Sequence, residues 1–166
     1  EDRSIRIDDM CVGPIEQNPF NEVGDFVVWT RRGTPAYQLA VVVDDIRQQV
    51  TDVVRGDDLL ASAARQTLLY EALNKTPPRW WHLPLVRGED GRRLAKRHGD
   101  TRLITYKNAG VRAERIIGLL ASWSGVADDR TEMTADDFRR HFDLNNVPRN
   151  DITFTAKDHD WLMRSP

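Results

Sequence analysis

Residues 35–60 read PAYQLAVVVDDIRQQVTDVVRGDDLL, and this stretch decides the fold. Leu39, Val42, Val43, Ile46 and Val50 follow the 0, 3, 4, 7, 11 spacing of one helix face. The β-branched run Val41–Val43 argues for a strand, but the helical period continues through Val50, so a helix is expected. Thr51–Arg55 then reads as a short buried strand that stops at Gly56. Ser62 is expected to cap a helix from about Ala63 to Leu73, with Leu68, Leu69, Ala72 and Leu73 facing inward. Trp80–Val86 reads as the next strand, interrupted by Pro84. Helix, strand, helix, strand implies an α/β unit with parallel pairing.

In such sheets ligands sit beyond the carboxyl ends of the strands. Two loops lie there, Arg55–Asp58 and Gly91–Gly99. Away from this middle region the reading is simpler. Residues 1–24 are expected to be irregular, because Gly13, Pro14, Pro19 and Gly24 interrupt any long element. Phe26–Thr30 reads as a short strand followed by a turn at Arg31–Gly33. Gly88–Gly91 is a turn. Ala113–Trp123 has the pattern of an amphipathic helix that Gly125 ends. Thr134 and Asp137 open a further helix carrying Phe138 and Phe142 one turn apart. Ile152–Trp161 is short and mixed.

The chain has 166 residues, 40% hydrophobic and 30% charged, enough to bury a core. Its longest apolar run, Leu39–Val43, is far too short for a bilayer, so no membrane partner is expected. Cys11 is the single cysteine, which excludes an internal disulfide and a cysteine zinc cluster within the chain. A reducing, cytoplasmic setting follows as an expectation. The first residue is Glu1 rather than Met, so the natural start is expected to lie upstream.

The formal net charge of −2 argues against bulk polyanion binding, although 20 of the 24 basic residues are arginine. Between Arg87 and Lys107, seven basic residues face three acidic ones, a local net of +4. That loop is a phosphate hint or a solvated surface. Lys96 sits inside it, where a basic loop could close over a triphosphate and stabilise charge as pyrophosphate leaves.

Arg55, at a strand end, could clamp a carboxylate or phosphate in its fork, or pair with Asp57 or Asp58. Tyr37 reads as a core tyrosine, His82 as a satisfied core histidine, and Trp80 and Trp81 as core packing rather than base stacking. Asp44 and Asp45 point about 100° apart on a helix and do not converge on one metal. No Ser/His/Asp arrangement, GxGxxG or Walker loop is present.

Five blocks carry a resemblance: GDFVVWTRRGTPAYQLAVVVDD (24–45), VTDVVRGDDLL (50–60), RQTLLYEAL (65–73), HLPLV (82–86) and GRRLAKRHGDTRL (91–103). In order and spacing they resemble the second half of the catalytic domain of glutamyl-tRNA synthetases. The likeness covers roughly residues 20–125, and more weakly 126–147. Within that group the chain is most similar to the compact glutamyl-Q tRNA(Asp) synthetases, which lack an anticodon-binding domain. The resemblance implies an α/β, Rossmann-like (HUP-type) class I synthetase fold. Residues 1–24 would end an inserted connective segment, residues 25–110 would form the second half of the catalytic domain, and residues 111–166 would be a helical stem-contact-like segment.

The resemblance also implies roles. Tyr37 and Arg55 would bind L-glutamate, which overturns the core reading of Tyr37. Arg93, Leu94, Ala95, Lys96 and Arg97 match the KMSKS-type ATP loop, with Lys96 as its second, catalytic lysine. ATP with Mg2+ would be used, and L-glutamate would be transferred to queuosine in tRNA(Asp) by a monomeric enzyme. The alternatives are a piece of a standard glutamyl-tRNA synthetase charging the tRNA 3′ end, a non-catalytic RNA-binding half-domain, and a fragment inactive in isolation. Three features depart from the family. The loop reads RLAKR where the family has KLSKR or KLSKQ, so Ala95 lacks a hydroxyl. No HxGH occurs around His82, His98, His141 or His159. The zinc-binding cysteines are missing, so zinc would enter only with a preceding segment that carries them.

Overall fold

The computed structural model describes residues 2–94 and 101–164. The chain forms two compact units, Glu1–Leu83 and Pro84–Pro166. Both mix helices and strands, as the α/β expectation required.

The first unit opens with an antiparallel hairpin, β1 (Ile5–Asp9) and β2 (Gly13–Gln17), with Ile7 opposite Ile15. This corrects the expectation of irregular chain before residue 24. Along β1, Ile5, Ile7 and Asp9 point inward while Arg6 and Asp8 are exposed, the period-two pattern of a half-buried strand. Gly13 takes φ +91° at the reversal. Pro14 is tolerated because β2 pairs on one side only. The Asp9 carboxylate closes the turn, its Oδ1 accepting from the backbone N–H of Cys11 and Val12 at 2.9 Å each.

A single-turn helix, α1 (Pro19–Glu22), follows, capped by Asn18. The expected strand at Phe26–Thr30 does not form. Only an isolated bridge between Trp29 and Pro35 stands there, closing a turn in which Thr30 N donates to Thr34 O at 2.8 Å. With Val27 and Trp29 both exposed, the segment has no buried face to hold it in a sheet.

Helix α2 (Tyr37–Gln48) settles the contest between helix and strand in favour of the 3.6-residue period. Gln49 ends it in the left-handed region, φ 55°, and Val50 N still donates to Asp45 O at 2.9 Å. Strand β3 (Asp52–Gly56) pairs in parallel with β4 (Arg79–Leu83), placing Val53 opposite Trp80 and Arg55 opposite His82. β3 is only half-buried, since Val54 is 62% exposed.

Between the two strands, a 3-10 turn at Asp57–Leu59 leads into α3 (Leu60–Ala72). Ser62 is therefore not the cap but a buried residue inside the helix. Of the residues expected to face inward from α3, Leu68 and Leu69 pack against the core while Ala72 and Leu73 are exposed, and Ala63, Ala64, Gln66, Thr67 and Tyr70 are the buried ones. Ile5, Ile7, Val42, Ala63, Ala64, Tyr70 and Trp80 make the core. Strand β4 ends at Leu83, before Pro84, and Met10 N donates to Trp80 O at 2.9 Å.

In the second unit, β5 (Val86–Arg87) pairs in parallel with β6 (Ile152–Thr153). The Gly88–Gly91 turn forms as read, Gly91 adopting φ +73°. Among the described residues four α-helices follow β5: α4 (Leu103–Asn108), which the sequence reading missed, α5 (Ala113–Trp123), α6 (Ala135–His141) and α7 (Ala156–Met163). Gly125 follows α5 at φ +71°, and the Thr134 side chain caps α6 by accepting from Asp137 N. Phe138 and Phe142 stack with centroids 5.5 Å apart. Tyr106, Leu119 and Leu162 are the buried centre, packed by Val111, Ile116, Trp123, Phe154 and Trp161. Among the described residues no helix is long and apolar enough to cross a membrane.

Candidate functional site

Arg55 is the penultimate residue of β3, and its guanidinium turns back over the carboxyl end of the parallel pair. Nε donates to His82 Nε2 at 2.9 Å, Nη1 to Gln66 Oε1 at 2.8 Å, and Nη2 to the Leu59 carbonyl at 3.2 Å. The carbon at the centre of the guanidinium lies 4.8 Å from the centroid of the Trp80 ring, a cation–π contact. An arginine carries five N–H donors. These three bonds use one from each nitrogen and leave one N–H on each terminal nitrogen for a ligand. The partners are an imidazole nitrogen, an amide oxygen and a peptide carbonyl oxygen, so each accepts without supplying a negative charge of its own. Burial weakens the guanidinium's hold on its proton, opposed by the Tyr37 hydroxyl and the carboxylates of Asp45, Asp9 and Asp58. It remains a cation at neutral pH.

The partners of Arg55 are themselves held. Gln66, fully buried on α3, donates through Nε2 to Gln38 Oε1 at 2.9 Å, which turns its own Oε1 toward Arg55. Gln38 in turn donates to Ser62 Oγ at 3.2 Å, and Arg65 donates to the same oxygen at 3.0 Å. His82 is 1% exposed, and its Nδ1 lies 2.6 Å from Asp9 Oδ2. Burial pushes the Asp9 carboxyl up. The Val12 N–H, the His82 ring and the N–H groups of Cys11 and His82 outweigh it and hold the carboxyl below its ordinary value.

Tyr37 is the first residue of α2 and is 59% exposed, so the core reading of this side chain fails. Its hydroxyl is close enough to bear on Arg55 electrostatically. Trp80 is core, as read, and also floors the guanidinium. The Trp81 indole donates to Asp52 at 2.9 Å. Asp44 and Asp45 do not gather further ligands, and among the described residues no three His, Cys, Asp or Glu side chains converge as a metal site would need. Burial raises the Asp45 carboxyl, against the pull of Arg55 and with the push of Asp44.

In the second unit the main chain of Arg93 bridges to that of Arg87, and Leu94 N donates to Val86 O at 3.0 Å. Ala95, Lys96 and Arg97 lie outside the described residues. The reading of the sequence missed Asp9, Gln38 and Gln66 altogether. The alternation in Ile5–Asp9 was the available signal for an inward carboxylate. Nothing local marks the two glutamines, whose partners come from other elements of the chain.

The chain matches the description "tRNA synthetases class I (E and Q), catalytic domain" over residues 1–161. It is 44% identical over 156 residues to a glutamyl-Q tRNA(Asp) synthetase of Symbiobacterium thermophilum, covering 94% of this chain and 48% of that protein. A protein of the same name from Rhodopirellula baltica is 51% identical over 130 residues, covering 75% of this chain and 39% of its own length. A glutamate–tRNA ligase of Campylobacter hominis is 35% identical over 159 residues, 96% of this chain and 34% of that one. Among solved structures, a glutamate tRNA ligase from Elizabethkingia meningosepticum in complex with its amino acid superposes with a TM-score of 0.81. It is 30% identical, and the match covers 97% of this chain and 36% of that one. The chain thus spans half or less of the length of these relatives. Its sequence, its α/β architecture and its likeness to these structures make it a member of the class I tRNA synthetases for glutamate and glutamine, within their catalytic domain.

Proposed function

We propose that this chain supplies the amino-acid side of an active site that activates L-glutamate with ATP and transfers it to queuosine in tRNA(Asp). The observation that carries the reading is Arg55, a half-buried cation at a strand end, held by three neutral acceptors and keeping one N–H on each terminal nitrogen. That geometry suits a carboxylate taken in a fork. Tyr37, exposed at the start of α2, would complete the glutamate contact. Lys96, with Arg93, Leu94, Ala95 and Arg97, would serve the triphosphate, and magnesium would arrive on ATP.

The chemistry asked of these groups is positional and electrostatic. A glutamate carboxylate oxygen attacks the α-phosphorus, the bond to the bridging oxygen breaks, and pyrophosphate leaves with the electron pair. The acyl group then passes to a hydroxyl of the RNA and AMP departs. Residues 1–24 would close a connective segment, 25–110 the catalytic half and 111–166 a stem-contact segment, in a monomeric cytoplasmic protein.

The identities of 44% and 51% to glutamyl-Q tRNA(Asp) synthetases, against 35% and 39% to two glutamate–tRNA ligases, support queuosine over the tRNA 3′ end. The test is glutamate-dependent pyrophosphate exchange by the intact protein as encoded, then acylation of tRNA(Asp) with and without queuosine. Exchange followed by charging of the queuosine-containing tRNA alone is expected. Charging of tRNA(Glu) at its 3′ end would move the assignment to an ordinary glutamate–tRNA ligase. RNA binding without exchange would make the protein a non-catalytic module.

A further inference from the structure

The buried carboxylate nearest to Arg55 along the hydrogen-bond network does not touch it. Asp9 and His82 have side chains with no exposed surface, and they stand in line with the guanidinium. Asp9 Oδ1 accepts from the N–H groups of Cys11 and Val12 and, at 3.3 Å, from that of His82, while Oδ2 faces His82 Nδ1. A carboxylate so surrounded by donors is an acceptor, so Nδ1 carries the ring proton. Nε2 is then a lone pair, and among the described residues the donor it meets is Arg55 Nε–H at 2.9 Å. Parallel register sets the two side chains next to each other, because Arg55 of β3 and His82 of β4 are partners in the ladder.

The consequence is geometric and electrostatic together. The bond at Nε sets the rotation of the guanidinium plane, with Trp80 beneath its face and Gln66 and Leu59 at its tips. A carboxylate placed directly on the terminal nitrogens would compete with an incoming carboxylate for the same fork. Here the Asp9 carboxylate lies behind the imidazole on the Nε side rather than on the terminal nitrogens, and each terminal nitrogen keeps one N–H beyond its bond to Gln66 or Leu59. We infer that His82, oriented by Asp9, is a positioning residue that fixes the Arg55 fork for the amino-acid carboxylate. This rests on the proposal that Arg55 binds glutamate.

Two substitutions separate this role from simple core packing. His82→Gln brings an amide oxygen to the place of Nε2 and keeps an acceptor for Arg55 while losing the Asp9 contact. His82→Asn reaches only the place of Nδ1, keeping Asp9 and abandoning Arg55. In pyrophosphate exchange by the intact protein, His82→Asn should raise KM for glutamate at least ten-fold with KM for ATP unchanged. His82→Gln should stay within about three-fold of the parent for both. Equal losses in the two variants, or a loss shared by ATP, would overturn the inference.

Arg55→Ala is run beside them. If it keeps normal glutamate KM, the glutamate reading falls and takes this inference with it. If it loses glutamate while the Asn and Gln variants match each other, only the role of His82 falls. Should neither variant fold, the 15N shifts of His82 in the unsubstituted protein decide the matter. A protonated Nδ1 with a bare Nε2 is expected, and the reverse tautomer would overturn the inference.

Discussion

Gly118 of α5 lies directly beneath the backbone carbonyl of Thr131, where a β-carbon would stand 2.0 Å from the oxygen. Thr131 is main chain at that point, so no side chain can swing aside. The glycine breaks helix propensity in the middle of α5 because the return strand of chain passes too close for any other residue. Gly118→Ala should therefore destabilise the protein by roughly 3 kcal/mol, in spite of alanine's better helix propensity. A fall in the urea midpoint with an unchanged slope would show it, and an unchanged midpoint would mean the approach is looser than this.

Asp52 and Arg79 form an exposed pair across the parallel ladder, with Arg79 Nε 2.7 Å from Asp52 Oδ1. Bonds from Arg79, Thr51 and Trp81 bring the Asp52 carboxyl down to about 2. Because the folded value is depressed, its stabilising contribution is fully present above the unfolded value of 3.8 and is lost as pH falls through about 2. The stability gap between the parent and Asp52→Asn should be widest near neutral pH and close toward about pH 2. Denaturant titrations at a series of pH values measure it, and a gap that does not vary with pH would contradict the assignment.

Asp158 is buried at the first turn of α7, where it does two jobs. Its carboxylate accepts from Thr155 N and Oγ1 at 2.7 Å each, completing a capping box, and from Arg130 Nε at 2.8 Å. Asp158→Ala removes both and should cost about 3 kcal/mol. Asp158→Asn keeps an acceptor for the cap and should cost about half as much. Thermal melts of the two variants rank them, and equal melting temperatures would indicate that the cap acceptor kept by asparagine contributes nothing.

The basic loop offers a kinetic prediction. Lys96→Ala should remove most pyrophosphate exchange in the intact protein while glutamate binding survives. Ala95→Ser restores a hydroxyl where RLAKR departs from the family's pattern, and exchange should rise about three-fold, the worth of one hydrogen bond of modest strength. Exchange unaffected by loss of the lysine would detach this loop from the nucleotide.

Elements specified by neighbouring residues were legible in the sequence. The bounds of α5 coincide with its apolar stripe, and Thr134 caps α6 where a threonine followed by an acidic residue was read as a start. The parallel pair was legible too, from the order of helix and strand signals. Three errors share another origin. Gly13 and Pro14 were read as interruptions, yet an edge strand accepts both. Phe26–Thr30 has strand composition but no sheet partner. Ser62 has the chemistry of a cap, yet Asp57–Leu59 begins the turn five residues earlier and leaves it in the helix interior.

The site divides along the same line. Period, capping chemistry and strand order come from contacts within a few residues, and they put Arg55 at a strand end with a free choice of partners. Which partners it takes depended on register and on burial. Parallel pairing set His82 across from it, the hairpin brought Asp9 up behind the imidazole, and α3 lowered Gln66 onto its tip. Residues 9, 55, 66 and 82 meet because buried polar groups must find partners, and the positions of those partners are a property of packing, which no local window of sequence contains.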